Sequence, residues 1–386
     1  MGVGRHQVRR AAAVSTGRAL RATVLAVLLG AGFLPCWAGD TQEPAAEIPT
    51  PIGGDPTPAL APLQGHRGGE VYSLSFADED IIEAFVQRLL ASRLVWLQAV
   101  LDRSRTYRAV IAREIARRGM PRELQFLPAL ESGFQPRAVS PKGAAGMWQL
   151  MRNTAAPYGL RMDEWIDERR DVVRSTAAAL GKLQEGYRQF GSWEMALAAY
   201  NAGAARMAGL VREHGTGSYW ALRAKGVLPT ETAAFVPQFA ALSRILDQPG
   251  RHGLRVSWDP AMEWEQVAVP RTVDLRLLAE ASGVDRDALA AGNPELLLGV
   301  TPPASYGYQL KVPAGHRVAV EKALAGDAIP LMEYRVHVVR KGDTLWAISR
   351  SYGVSLELLT ESNPGVRAEC LRVGSRLLVP RLERRG

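Results

Sequence analysis

Residues 78–118 contain neither proline nor glycine, and their apolar side chains recur three and four positions apart: Ile82, Phe85, Val86, Leu89 and Leu90, then Leu94, Leu97 and Leu101. That spacing lays one face of an α-helix against a core, and a run of this length leaves no room for a sheet in this part of the chain. Asp78 stands where an N-cap would, with acids in the first turn behind it. Tyr107–Ala116 reads as a second amphipathic unit, ended by Gly119 and Pro121. Helical signals continue beyond it. Arg122–Leu130 reads as a short buried helix, and Met147–Met151 as the start of another that NTAAPYGL (153–160) ends. Asp171–Phe190 is amphipathic and closed by Gly191, Ser192 caps the stretch that Gly203 ends, and Leu228–Leu246 starts a helix with Thr230 as its cap. Residues 78–250 are therefore expected to form an all-α body with short connections.

The pattern changes after Pro249. Trp258–Val269 is strand-like, and a repeat follows: Val273–Pro294 aligns with Asp343–Pro364 at a constant offset of 70, so that Gly283 matches Gly353 and Asn293 matches Asn363. Both copies run on to a strand-like Val-Pro ending, LKVP at 310–313 and LLVP at 377–380. Each copy reads as strand, helix, helix, strand. Such a unit holds together only if its two short strands pair beneath the helices. The expected class is α+β in several domains: 78–250 helical, with small βααβ modules at 258–315 and 333–381.

The N-terminal head reads as an export signal. Arg5, Arg9, Arg10, Arg18 and Arg21 precede an apolar run, Thr23–Leu34, and Cys36 and Ala38 supply small residues for a cut after Ala38. Two outcomes stay open for residues 1–38: cleavage as a signal, or an anchor, either a lipid on Cys36 or the uncleaved apolar run itself. Beyond the head no segment is expected to span a membrane. Residues 39–77 are rich in Pro, Gly, Ala and Thr and read as a flexible linker. The head also resolves the charge. The chain carries +8, five of those charges are its arginines, and the remainder are interleaved with acids rather than drawn into a stripe, which argues against a nucleic-acid partner. If Cys36 leaves with the head, Cys370 is single and no internal disulfide forms. The six histidines are scattered, so no metal site and no cofactor is expected.

One acid stands apart. Glu131 closes the apolar run Phe126–Leu130 and opens a loop holding Gly133, Pro136, Pro141, Gly143 and Gly146. A carboxyl beside that much apolar surface tends to keep its proton, and a protonated carboxyl near neutral pH is a general acid.

The motifs around Glu131 carry a resemblance. Glu131–Met151, E-S-G-F-x-P-x-A-x-S-P-x-G-A-x-G-x-W-Q-x-M, resembles the core motif of soluble-lytic-transglycosylase-type, goose-lysozyme-like domains. Ala199–Gly203 (AYNAG) matches a second motif of that family, and Pro229–Pro237 resembles a third, with Phe235 where Tyr is frequent. Tyr334–Ser349 is similar to the opening of a LysM peptidoglycan-binding module, and the earlier copy resembles a degenerate LysM without the G-D-T-L entry. The order of these parts and DERRD at 167–171 most resemble the D-type group of membrane-bound lytic murein transglycosylases.

The resemblance implies a lysozyme-like helical domain that cleaves the β-1,4 bond between MurNAc and GlcNAc and leaves a 1,6-anhydro end. Hydrolytic muramidase action and non-catalytic wall binding are the alternatives. It implies Glu131 as acid and then base, since the core motif offers no second carboxylate before Asp163. It implies Ser140 and Gln149 as hydrogen-bonding partners of the sugar, Met151 packed under it, and Tyr200 and Asn201 supporting the cleft. Glu231 reads either as a supporting acid or as a first-turn charge. Asp343, Thr344 and Leu345 stand at the loop where LysM modules take sugar, whereas the first copy reads more as a spacer. The implied partner is peptidoglycan, met by a monomer in the periplasm or elsewhere in the envelope, with outer-membrane association if the head is an anchor.

Overall fold

The computed structural model describes residues 76–256, 263–327, 332–367 and 371–382, together with Leu74 and Ile329. The export signal, nearly all of the linker and both cysteines lie outside the described residues.

Helix α1 (Glu79–Arg117) starts where the sequence marks it, with the Asp78 carboxylate accepting the Ile81 amide at 3.2 Å. Ile82, Val86, Leu97, Val100, Leu101, Ile111 and Ile115 form its buried stripe. The break within it comes earlier than the sequence suggests. It lies at Arg93 (φ −134°, ψ 18°) rather than before Tyr107. The Ser92 hydroxyl turns back to the Arg88 carbonyl at 2.8 Å, a competitor for the helical ladder that bends helices. The sequence leads one to expect no further segment apolar enough to span a membrane. Helix α1 is long and apolar enough by length and composition alone, but its Ile82, Val86, Leu97, Val100 and Leu101 are buried in the helical core.

A 3-10 turn (Arg122–Phe126) leads into α2 (Leu127–Ser132). After a loop come α3 (Arg152–Ala155), α4 (Val172–Phe190), α5 (Trp193–Ala202), α6 (Ala204–His214), α7 (Tyr219–Ala224) and α8 (Thr230–Asp247). Ser192, which takes the Met195 amide, and Gly191, which closes α4 in the left-handed region, are as read from sequence. Asp171, read as the first residue of α4, is instead its N-cap and takes the Arg174 amide. Thr230 is not a cap. It is the first residue of α8, which begins behind Pro229 with no capping side chain. Helices α6 and α7 are additions to the expected set. α4 and α5 approach closely because Gly186 has no side chain, and a Cβ there would stand 3.2 Å from the Ala196 Cα. The helical core gathers Phe126, Leu127, Trp148, Leu197, Met195, Phe239 and Ile245.

Two antiparallel strand pairs follow. β1 (Trp264–Ala268) pairs with β2 (Gln309–Pro313) around α9 (Leu275–Ser282) and α10 (Arg286–Gly292). β3 (Met332–Val338) pairs with β4 (Arg376–Leu382) around α12 (Leu345–Tyr352) and α13 (Leu356–Glu361). Helix α11 (Arg317–Ala325), absent from the sequence reading, follows β2 and buries Val320, Ala323 and Leu324 in the first unit's core. The asparagine of each copy explains why it sits at the same repeat position. Asn293 donates to the Leu289 and Lys311 carbonyls and accepts the Lys311 amide. Asn363 does the same with Leu359 and Leu378. In both copies one buried amide thus ties the second helix to the last strand.

Candidate active site

Helix α2 buries Leu127, Pro128, Ala129 and Ser132, and leaves Glu131 partly open. Gly133 ends the helix at φ 61°, and its carbonyl accepts the Arg103 Nε at 2.7 Å, which fixes where the helix stops. Burial raises the Glu131 carboxyl from its ordinary 4.5 to about 8. The Lys182 ammonium opposes that rise and the Glu231 carboxylate adds to it. At neutral pH Glu131 therefore carries a proton that it can give.

The loop after α2 is held by short bridges, Val139 with Ala145 and Ala145 with Leu150. The expected helix start at Met147–Met151 is not there. Residues 146–149 make a tight turn, Ala145 and Leu150 exchange backbone bonds of 3.0 and 3.1 Å, and Gln149 sits at φ 46°. Packing sets this turn. A Cβ on Gly146 would fall 1.8 Å from the Arg169 carbonyl, so only glycine lets the backbones meet. The helix begins later, at Arg152.

Ser140 lies on this loop, its Oγ accepting the Ala144 amide at 3.0 Å, so it shapes the loop. The Gln149 Nε2 donates to the Gly146 carbonyl at 2.8 Å, which leaves its amide oxygen as the group on offer. Met151 and Val139 are exposed apolar side chains. Ser132 is a loop former, donating to the Met147 carbonyl at 2.9 Å and accepting the Gln135 amide.

Tyr200 is buried on α5, and its hydroxyl donates to the Trp148 carbonyl at 2.6 Å, not to Glu131. Burial, with Glu131 next in effect, pushes that hydroxyl well above its ordinary range. Asn201 bridges α5 to α8: its Nδ2 donates to Glu231 at 3.1 Å and its Oδ1 accepts the Thr232 hydroxyl at 2.8 Å. Two charged groups gain weight here. Lys182, which sequence reasoning passed over, donates to the Tyr200 carbonyl at 2.7 Å and lies 4.1 Å from that ring's centre. Its ammonium is depressed by burial and supported by Glu131. On α4 it looks like one more polar residue of an amphipathic helix, and nothing in the sequence singles it out. Glu231 brings a second carboxylate within electrostatic range of Glu131, which the core motif alone does not contain.

In the last βααβ unit, Thr344 caps α12 through the Ala347 amide at 3.0 Å, and the Leu345 side chain is buried in the unit's core. Those two side chains are occupied by the fold. The Asp343 carboxylate accepts the Arg340 amide at 2.7 Å and pairs with His337 at 2.8 Å, and these bonds, the backbone one first, hold it below the usual range. Trp346, 63% exposed beside Arg350, is the aromatic surface that sequence reasoning did not single out.

Three family models match the chain: Transglycosylase SLT domain over 108–222, Lytic transglycosylase MltD, LysM-like domain over 263–327, and LysM domain over 337–380. Membrane-bound lytic murein transglycosylase D of Escherichia coli (strain K12) is 33% identical over 328 residues, 81% of this chain and 71% of that protein. A putative tributyltin chloride resistance protein of Alteromonas sp. (strain M-1) is 35% identical over 117 residues, 30% of this chain and 56% of that protein. Among solved structures, the 70 kDa soluble lytic transglycosylase of Escherichia coli matches with 22% identity and a TM-score of 0.33, covering 37% of this chain and 24% of that one. An inactive mutant of the lytic transglycosylase Slt from Pseudomonas aeruginosa matches with 26% identity and a TM-score of 0.32, covering 39% and 26%.

Proposed function

Because the chain belongs to the membrane-bound lytic murein transglycosylase D family, we propose that it cleaves peptidoglycan strands between MurNAc and GlcNAc with Glu131 as the acid–base residue. The observation that carries this is the raised Glu131 carboxyl at the mouth of a loop rich in hydrogen-bonding groups. Protonated Glu131 donates to the glycosidic oxygen as the C1–O bond breaks and the GlcNAc hydroxyl leaves. Glu131, now a carboxylate, takes the proton from the MurNAc C6 hydroxyl as that oxygen bonds to C1. The product is a 1,6-anhydro end, Glu131 recovers its proton, and no water is consumed. Lys182 favours the carboxylate between the two steps.

The Gln149 amide oxygen accepts an N–H from the acetamido group, Ser140 bonds the sugar near C6, Met151 packs beneath it, and Tyr200 and Asn201 hold α5 and α8 at the cleft. The last βααβ unit binds glycan through Asp343, the backbone at Thr344 and Leu345, and exposed Trp346, and so raises its local concentration. The head directs the protein to the cell envelope, where its substrate lies. Residues 78–250 form the catalytic part, with the modules at 258–315 and 333–381 behind it.

Mass spectrometry of digested peptidoglycan tests this: anhydro ends with wild type and none with Glu131→Gln. Glu231 gives a second reading a specific basis, because two carboxylates flanking one bond can hydrolyse it. Reducing ends that vanish with Glu231→Gln would establish hydrolysis instead.

A further inference from the structure

The segment 163–171 faces two ways. On one side it enters the first βααβ unit. Trp165 and Ile166 are buried in a cluster with Val267, Leu289, Leu296 and Leu310. The Asp167 amide donates to the Glu295 carbonyl at 3.0 Å, and the Leu297 amide to the Trp165 carbonyl at 3.0 Å. The Lys311 ammonium sits between Asp171 at 2.7 Å and Glu295 at 2.5 Å. At the equivalent place in the second copy, where Asn363 clamps the last strand, the residue is Leu378. Leu378 is buried in the first unit's cluster, whereas the first copy has at that place a buried cation that reaches the helical body.

On its other side the segment grips the loop that carries Ser140 and Gln149. The Arg169 guanidinium is locked to Asp167 by bonds of 2.9 and 2.7 Å. Its remaining nitrogen, Nη1, donates to the Gly143 carbonyl at 2.7 Å and the Leu150 carbonyl at 3.1 Å, one on each side of the turn.

The face that would take sugar is closed in this copy. The repeat offset places Asp274 and Leu275 opposite Thr344 and Leu345. Asp274 is buried, bridged to Val300 and paired with Arg276 at 2.6 Å. Arg276 replaces Trp346 there, and its guanidinium reaches the Glu361 carbonyl of the second copy.

We propose that the first βααβ unit is a buttress of the catalytic loop and not a glycan tether, and that Arg169 is the positioning residue through which it sets Ser140 and Gln149. The proposal rests on the reading of that loop as part of the active site. A guanidinium that bonds both ends of a turn fixes the turn's width, and small misplacements of groups that hold a reacting sugar lower turnover steeply.

The test uses full-length protein on two substrates, intact sacculi and a soluble GlcNAc–MurNAc octasaccharide too short to be held at a distance. Arg169→Lys keeps the charge and loses the fork; Lys311→Leu installs the residue of the second copy. Circular dichroism and thermal melts select the variants that fold, so a failure of one variant to fold leaves the other to decide. The expected result is a fall in kcat of at least about tenfold on both substrates, with KM within about twofold. Unchanged kcat on the octasaccharide in a folded variant would overturn the proposal, as would a defect confined to sacculi, the pattern of a tether. Wild-type protein that turns over neither substrate would instead remove the activity itself, a result distinct from active wild type with unaffected variants.

Discussion

Glu131 makes the folded protein prefer to hold a proton that the unfolded chain releases, and the consequence can be measured without substrate. Its carboxyl is raised from 4.5 to about 8, chiefly by burial. A raised acid contributes its stability in full below the unfolded value and loses it as pH rises through the folded one. One pH unit corresponds to about 1.4 kcal/mol, so complete burial would cost the ionised form about 5 kcal/mol. Glu131 keeps an open side, so solvent takes part of this and a penalty of about 2–5 kcal/mol is expected at pH 8 and above. Glutamine has the shape of the neutral acid. Glu131→Gln should therefore melt with wild type at pH 4 and above it at pH 8–9. At about 2–4 °C per kcal/mol for a domain of this size, the gap should reach roughly 5–15 °C. Calorimetry of both proteins from pH 4 to 9 measures it, and other titrating groups largely cancel in the difference. A gap that stays constant with pH, or that narrows as pH rises, would refute the reasoning that the site strains its own acid.

The same electrostatics set opposite shifts in the alkaline limb of the rate profile. Lys182→Met should move it to higher pH and Glu231→Gln to lower pH, read from the pH dependence of kcat/KM on soluble glycan. Tyr200→Phe leaves the buried Trp148 carbonyl without its donor and should cost about 1–3 kcal/mol in chemical denaturation. Gly146→Ala should cost more than Gly143→Ala, because only the former meets a backbone carbonyl, and paired melts would show the order. Trp346→Ala should reduce cosedimentation with insoluble peptidoglycan, as loss of an exposed aromatic platform predicts.

How much of this was legible in the sequence depended on the range of the cause. The Gly191 end of α4, the Ser192 cap of α5 and the asparagine of each repeat were visible because they act on neighbouring turns or recur at a fixed spacing. Glu131 was visible because its apolar run adjoins it in the chain. The turn at Met147–Met151 was not. Its apolar residues suit a helix, and the force against one is the Arg169 carbonyl pressed on Gly146 from more than twenty residues away. Lys182 acts on Glu131 from α4, and its charge does not depart from an ordinary helical surface pattern, whereas Glu231, open in the sequence to a supporting role or a first-turn one, acts on it from α8. Thr230 had the right residue type for a cap, but Pro229 opens the helix one position before it.

Trp165 and Ile166 have a consequence for how the chain can be divided. They belong by sequence to the helical body and by packing to the core behind β1 and β2. Neither piece is complete alone. Cut between α8 and β1, the body would expose a tryptophan and an isoleucine to water and leave Asp171 without its lysine, while the severed module would keep Lys311 and Glu295 as a neutral pair. The smallest piece expected to fold as a unit therefore runs past the end of the helical body, through α11, and its two halves should appear and disappear together in hydrogen exchange. The second module has a core of its own in Val339, Leu345, Ile348, Leu359, Leu377 and Val379, but Leu378 of β4 is buried in the first module's cluster with Tyr334 and Val336 packed beside it, so its removal would uncover that face.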